Sequence, residues 1–180
     1  MVIAETDRLV LRTWLESDRA PFARMNADPR VMEFFLATLS AEESNRLADR
    51  IDAHFHEHGF TFFAAELKRS SEFVGMIGMA VVGFDGFNAK FTPCVEIGWR
   101  LAAEHWGQGL ATEGARAIVG HALDTIKLPG VVAFTVPANV RSRRVMEKLG
   151  MTYDPADDFD HPSVPDGHPL KRHVLYRLER

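Results

Sequence analysis

The chain has 180 residues, 21 Lys and Arg against 25 Asp and Glu for a formal charge of −4, and is 46% hydrophobic and 26% charged. That profile describes one compact domain spanning 1–180, with a core large enough to need neither disulfides nor a structural metal, and it excludes the basic footprint of a nucleic-acid binder. With a single cysteine, Cys94, no secretory leader and no run near the ~20 apolar residues of a membrane helix, the expectation is a reducing, cytoplasmic setting and no membrane partner.

In residues 8–15, Leu9, Leu11 and, less cleanly, Thr13 and Leu15 alternate with Val10, Arg12 and Trp14, which predicts a partly buried strand. Ser17 or Asp18 offers an N-cap for a helix to about residue 26, with Pro21 in its first turn and Asp28-Pro29 as its stop. Ser40 and Glu43 form a capping box, after which Leu47, Ile51 and Phe55 keep four-residue spacing until Gly59, so a second helix is expected. Residues 60–67 and 73–82 are β-rich and joined by Lys68-Arg69-Ser70-Ser71, as in a hairpin. Residues 83–93 read as a long loop. Residues 94–101 read as a strand, with Val95, Ile97, Trp99 and Leu101 on one face and Glu96, Gly98 and Arg100 on the other.

A glycine-bearing turn then opens a third helix, whose Ala115, Ile118, Val119, Ala122, Leu123 and Ile126 keep helical spacing up to Pro129-Gly130. Residues 131–136 form a short buried strand, and Asn139 caps a fourth helix ending with Lys148 and Gly150. Residues 154–169, rich in Asp, Pro and His, read as loop, and 172–178 as a final strand. The order is β-α-α-β-β-β-α-β-α-β-β, a mixed α/β arrangement with the sheet antiparallel in its first half and helices on both faces.

The turn into the third helix is Trp106-Gly107-Gln108-Gly109-Leu110-Ala111-Thr112-Glu113. Small residues there leave the amides of a helix N-terminus open to an anion, and the helix dipole adds attraction. The turn reads either as a phosphate seat or as a tight strand-to-helix connection with no ligand. A P-loop would place Lys and then Ser or Thr after the last glycine, where Leu110 and Ala111 stand. A dinucleotide fingerprint would need Gly or Ala at Thr112 and an acidic end to the next strand, where Thr135-Val136-Pro137 stands.

This run resembles the acetyl-CoA pyrophosphate loop of the GNAT N-acetyltransferases, specifically the branch of ribosomal-protein N-terminal acetyltransferases of the RimJ and RimL type. Glu5-Thr6-Asp7-Arg8-Leu9-Val10-Leu11-Arg12 resembles that branch's opening strand, and Glu96-Ile97-Gly98-Trp99 its fourth strand. Asn139-Val140-Arg141-Ser142 with Glu147-Lys148-Leu149-Gly150-Met151 resembles its fourth helix and following strand. Trp106 replaces the Gln or Arg preferred in the wider superfamily, as is usual in this branch. The resemblance implies the GNAT acyl-CoA N-acyltransferase fold, a mostly antiparallel sheet of six to seven strands flanked by four helices. It also implies transfer of acetyl from acetyl-CoA, as cosubstrate and without a metal, to a primary amine by direct attack. The acceptor stays open between a protein or peptide N-terminus and a small amine, and a homodimer is compatible with the resemblance.

In that frame Gly107, Gln108, Gly109, Leu110, Ala111 and Thr112 seat the diphosphate, and the pantetheine arm pairs with strand backbone at Ile97, Gly98 and Trp99. Gly98 otherwise reads as a bulge or a packing residue. Asn139 lies where the family often uses an amide near the pantetheine, although its capping role suffices. Glu96 is the candidate base, acting directly or through water; its alternative is a solvated glutamate, or one paired with Arg100. Many members place a Tyr acid on the fourth helix; here Ser142 resembles the branch's serine, able to bond the departing sulfur or merely local backbone. The alternative to an enzyme is a CoA-binding regulator without catalysis.

Other signals point elsewhere. His54, His56 and His58 lack a cysteine partner, only the first and last share a helix face, and histidines in a last turn suit the helix dipole. Arg141, Arg143, Arg144 and Lys148 suit a solvated helix face or a ribose phosphate. Cys94 reads as a small apolar residue, since no histidine is placed to activate it. Phe34, Phe35, Phe60, Phe62 and Phe63 read mainly as core, in part as a wall of the acceptor pocket.

Overall fold

The computed structural model describes residues 1–83, 87 and 89–180. In chain order the elements are β1 (Val2–Glu5), β2 (Leu9–Arg12), α1 (Arg19–Ala27), α2 (Ala41–His58), β3 (Phe62–Leu67), β4 (Glu72–Val82), β5 (Cys94–Leu101), α3 (Leu110–Gly120), β6 (Gly130–Thr135), α4 (Val140–Lys148), β7 (Thr152–Tyr153), β8 (Phe159–Asp160) and β9 (Arg172–Glu179). The sheet order is β1-β2-β3-β4-β5-β6-β9-β7, with β8 also on β9. Every pairing is antiparallel except β5 with β6.

Nine strands among the described residues exceed the expected six to seven, and the additions are β1 and β8. The chain turns back at Thr6, whose hydroxyl accepts from Leu9 N at 2.9 Å, so the residues before it form a strand of their own against β2. β2 stops at Arg12 because its guanidinium is drawn into a bidentate pair with Asp18, at 2.7 and 2.9 Å, while Trp14 Nε1 donates to Phe62 O at 2.7 Å. β8 interrupts the expected 154–169 loop where Phe159 pairs with His173 and packs its ring on that imidazole. Part of the expected 83–93 loop, residues 84–86 and 88, lies outside the described residues.

Asp18 precedes α1 but does not cap it, because its carboxylate bonds Arg12 and Leu15 N, whereas the signals of α2 stand as read. Ser40 Oγ accepts from Glu43 N and Glu43 Oε2 accepts from Ser40 N, and α2 ends at Gly59 with φ 76°. α3 buries Leu110, Ala115 and Ile118 and runs on through a π turn (His121–Thr125). The helices divide the core in two. One cluster packs α3 and α4 on Leu9, Ile77, Met79 and Ile97; the other packs α1 and α2 on Met76 and Phe62 of the opposite sheet face.

Candidate active site

β5 and β6 run parallel but pair only at Glu96 and Val132. Beyond that point β5 stays bonded to β4 as far as Leu101, while its other edge pairs with no strand among the described residues. Unpaired strand N–H and C=O groups are a template for an extended amide-bearing chain. The opening widens into a cleft of about 970 Å³ bounded by β5, the start of α3, α4 and the segment between α1 and α2.

One end of the cleft is the turn into α3. Gly107 and Gly109 adopt φ of 72° and 80°, a region open to glycine at little cost. Gly109 is the N-cap residue, no side chain caps the helix among the described residues, and the first helical bond is Glu113 N to Gly109 O at 3.0 Å. The preceding amides therefore have no helical acceptor and stand available to an anion. Gly107, Gly109, Leu110, Ala111 and Thr112 line the cleft; Gln108 does not. Gln108 turns outward, its Nε2 donating to Glu104 O at 3.1 Å and its own carbonyl accepting from Arg8 Nη1 at 2.9 Å.

Alternation along β5 puts Glu96, Gly98 and Arg100 on the α1–α2 face, and Ile97 and Trp99 on the α3 face; all five line the cleft. Glu96 has no hydrogen-bond partner among the described residues, and burial raises its carboxyl to about 8. It does not pair with Arg100, whose Nη1 donates to Asn26 Oδ1 at 2.8 Å. At Gly98 a Cβ would stand 3.0 Å from Phe62 Cε1, so this glycine admits a ring from β3 on one side and leaves backbone open on the other. Across the cleft, Asn139 Oδ1 accepts from Ser142 N at 3.2 Å and its Nδ2 donates to Thr135 Oγ1 at 3.0 Å. The Ser142 hydroxyl, beside them at the cleft wall, has no partner among the described residues.

Residues 8–152 match the acetyltransferase (GNAT) domain. The chain belongs to the GNAT acetyltransferase family. The uncharacterized protein YkkB of Bacillus subtilis (strain 168) is 30% identical over 149 residues, 82% of this chain and 84% of YkkB. The acetyltransferase of Agrobacterium tumefaciens str. C58 shares the fold at a TM-score of 0.79 and 27% identity, covering 98% of this chain and 94% of that one. RimL, the ribosomal L7/L12 alpha-N-protein acetyltransferase solved with coenzyme A, has a TM-score of 0.77 at 16% identity, covering 99% and 98%. That last likeness is one of fold.

As a GNAT enzyme, the chain is an acetyl-CoA-dependent N-acetyltransferase. Its residues fit the cosubstrate: open amides at the head of α3 suit a diphosphate, Arg144 and Lys148 add positive charge to the cleft while Arg141 is paired with Glu33 at 2.6 Å, and the free edge of β5 suits the amides of pantetheine.

The GNAT site also has a support that sequence reasoning left unassigned. Arg8 Nε donates to Glu113 Oε2 at 2.7 Å, and Thr6 Oγ1 donates to Glu113 Oε1. The opening motif thus holds the glycine turn before α3 through Glu113 and Gln108 O. Glu113 lies 105 residues from Arg8, a separation at which only the family resemblance of both motifs was a signal. Histidines and cysteine take structural parts. His54 Nε2 accepts from Val81 N at 3.0 Å, which fixes Nδ1 as the donor to Phe60 O at 2.8 Å and occupies both nitrogens. Burial first, and Glu96 second, push the Cys94 thiol up to about 12, far from a nucleophile's range.

Proposed function

We propose that the enzyme acetylates a primary amine by direct attack on the thioester, with Glu96 as base and Ser142 as the donor to sulfur. The carrying observation is the Glu96 carboxyl: it lines the cleft, lacks a hydrogen-bond partner among the described residues, and is held near 8 by burial, a proton affinity suited to taking a proton near neutral pH. Glu96 removes one proton from the ammonium, directly or through water. The freed lone pair forms the C–N bond at the carbonyl carbon, the C–S bond breaks, and the second amine proton passes to the departing thiolate through the Ser142 hydroxyl. Amides 109–112 and the edge of β5 hold the cosubstrate throughout.

The acceptor is a protein N-terminus or a small amine. The RimJ and RimL branch is favoured by the sequence likeness of the opening strand, the phosphate turn and α4. The test is thiol release over a panel of amines and peptides as a function of pH. Glu96→Gln is expected to lower kcat/KM by about 10²- to 10⁴-fold and to abolish the rise with pH. A variant with the wild-type pH profile would overturn the assignment.

A further inference from the structure

Arg100 is a partly buried cation whose one hydrogen-bond partner among the described residues is neutral. Its Nη1 donates to Asn26 Oδ1 at 2.8 Å, and Asn26 is itself fully buried and fixed by Nδ2 donating to Ser44 Oγ at 2.9 Å. The guanidinium lies on the Phe35 ring, 4.2 Å from its centroid. What remains is the side edge formed by Nε and Nη2. Nε is buried without a partner, and Nη2 has none among the described residues. Burial lowers the guanidinium to about 10, the direction expected of a charge without a counter-ion.

The same edge is filled by a carboxylate elsewhere in the molecule. Nε and Nη2 of Arg8 meet Glu113, those of Arg12 meet Glu66, and those of Arg30 meet Asp28. In each pair both nitrogens reach the same carboxylate oxygen, Glu113 Oε2, Glu66 Oε2 and Asp28 Oδ2, so a carboxylate suits this edge. A buried donor left unpaired is costly, and more so when charged, so an orphaned edge on a residue that lines the cleft calls for an incoming acceptor.

Resting on the amine-acetyltransferase reading above, we infer that the acceptor carries a carboxylate, which Arg100 receives through its free Nε/Nη2 edge while Asn26 and Phe35 hold the guanidinium in place. Arg100 is thus a specificity-determining residue on the α1–α2 side of the cleft. The amine lies toward Glu96 and the carboxylate toward Arg100, with Gly98 between them on the same strand face.

Alanine, alanyl-alanine and γ-aminobutyrate, each compared with its own C-terminal amide, test this by calorimetric binding to the CoA-loaded protein and by thiol release with acetyl-CoA. At least one free acid is expected to bind 10-fold or more tighter than its amide, and to exceed it in kcat/KM although the amide's amine is the less protonated. Arg100→Gln is expected to bring that ratio to about one, and Arg100→Lys, which keeps the charge and loses the fork, to an intermediate value. Acid-to-amide ratios near one in the wild type for all three pairs overturn the inference, whether or not the variants fold. A ratio that survives in a folded Arg100→Gln overturns it as well, as does a variant that instead weakens CoA itself. Selective binding of the acid with no thiol released from any acceptor supports the carboxylate site while contradicting the amine-transfer reading, so the two fail separately.

Discussion

Glu96 sets the pH behaviour expected of the enzyme in two ways. As the proposed base it works unprotonated, so with a small-amine acceptor titrating near 10, kcat/KM is expected to rise with pH through about 8 and level above it. Stability follows the opposite course. The folded carboxyl binds its proton more tightly than the unfolded one at 4.5, so its contribution is complete below that value and is lost as pH rises through 8. Calorimetric melting between pH 5 and 9 is expected to show a fall in Tm that Glu96→Gln flattens; parallel curves would contradict the burial argued for this side chain. Ser142 makes a smaller demand. Its hydroxyl is free of local bonds among the described residues, and Ser142→Ala is expected to slow single-turnover acetyl transfer by about 10²-fold, with CoA affinity unchanged.

The phosphate turn and its neighbours act as elements. Arg8 and Thr6 of the β1–β2 turn grip Glu113 and Gln108 O, so Arg8→Ala is expected to weaken CoA binding several-fold by calorimetry while leaving the pH profile in place. Gly109→Val acts on the same turn in a way that side-chain size alone does not convey. The new Cβ would point toward Arg8 Nη2, 3.6 Å away, and φ of 80° strains any β-branched residue, so the damage comes from a displaced turn. α2 and β4 are joined by His54, which accepts from Val81 N only when neutral. Burial first, then the nearby His58 charge against the Phe60 carbonyl, leaves its folded affinity for protons below the ordinary 6.5. Its contribution is therefore present above 6.5 and lost as pH falls, and His54→Ala is expected to cost about 1–3 kcal/mol at pH 7.5 and to weaken the acid-side decline.

How far this was legible from sequence depends on the range of the signal. Local signals succeeded: the Ser40–Glu43 box, Gly59 and Gly150 with left-handed φ, the Asn139 cap and the face alternation of β5 all stand where spacing put them. The extra strands β1 and β8 were missed because each is short: β1 has four residues and pairs locally with β2 across the Thr6 turn, and two-residue β8 has no periodicity to read. In the site, glycines and the capping Asn139 were visible, whereas the Arg8 clamp and the Asn26–Arg100–Phe35 assembly arise only when β2, α1 and β5 are folded together.

At the scale of the whole molecule, one departure from antiparallel pairing creates the site. β5 and β6 touch at Glu96 and diverge, so Glu96, the proposed base, stands at the apex, the amides of α3 at the open end, and the α1–α2 segment along one wall. Cosubstrate and acceptor thus enter a cleft whose shape is set by sheet topology and whose chemistry is set by a few side chains. The most direct measurement is a crystal structure with coenzyme A bound. The diphosphate is expected within hydrogen-bonding distance of the amides of residues 109–112, with the pantetheine amides along the free edge of β5 and the sulfur nearest Glu96 and Ser142. Coenzyme A bound elsewhere, or a turn at Gly107–Gly109 that makes no contact with the phosphates, would contradict the account.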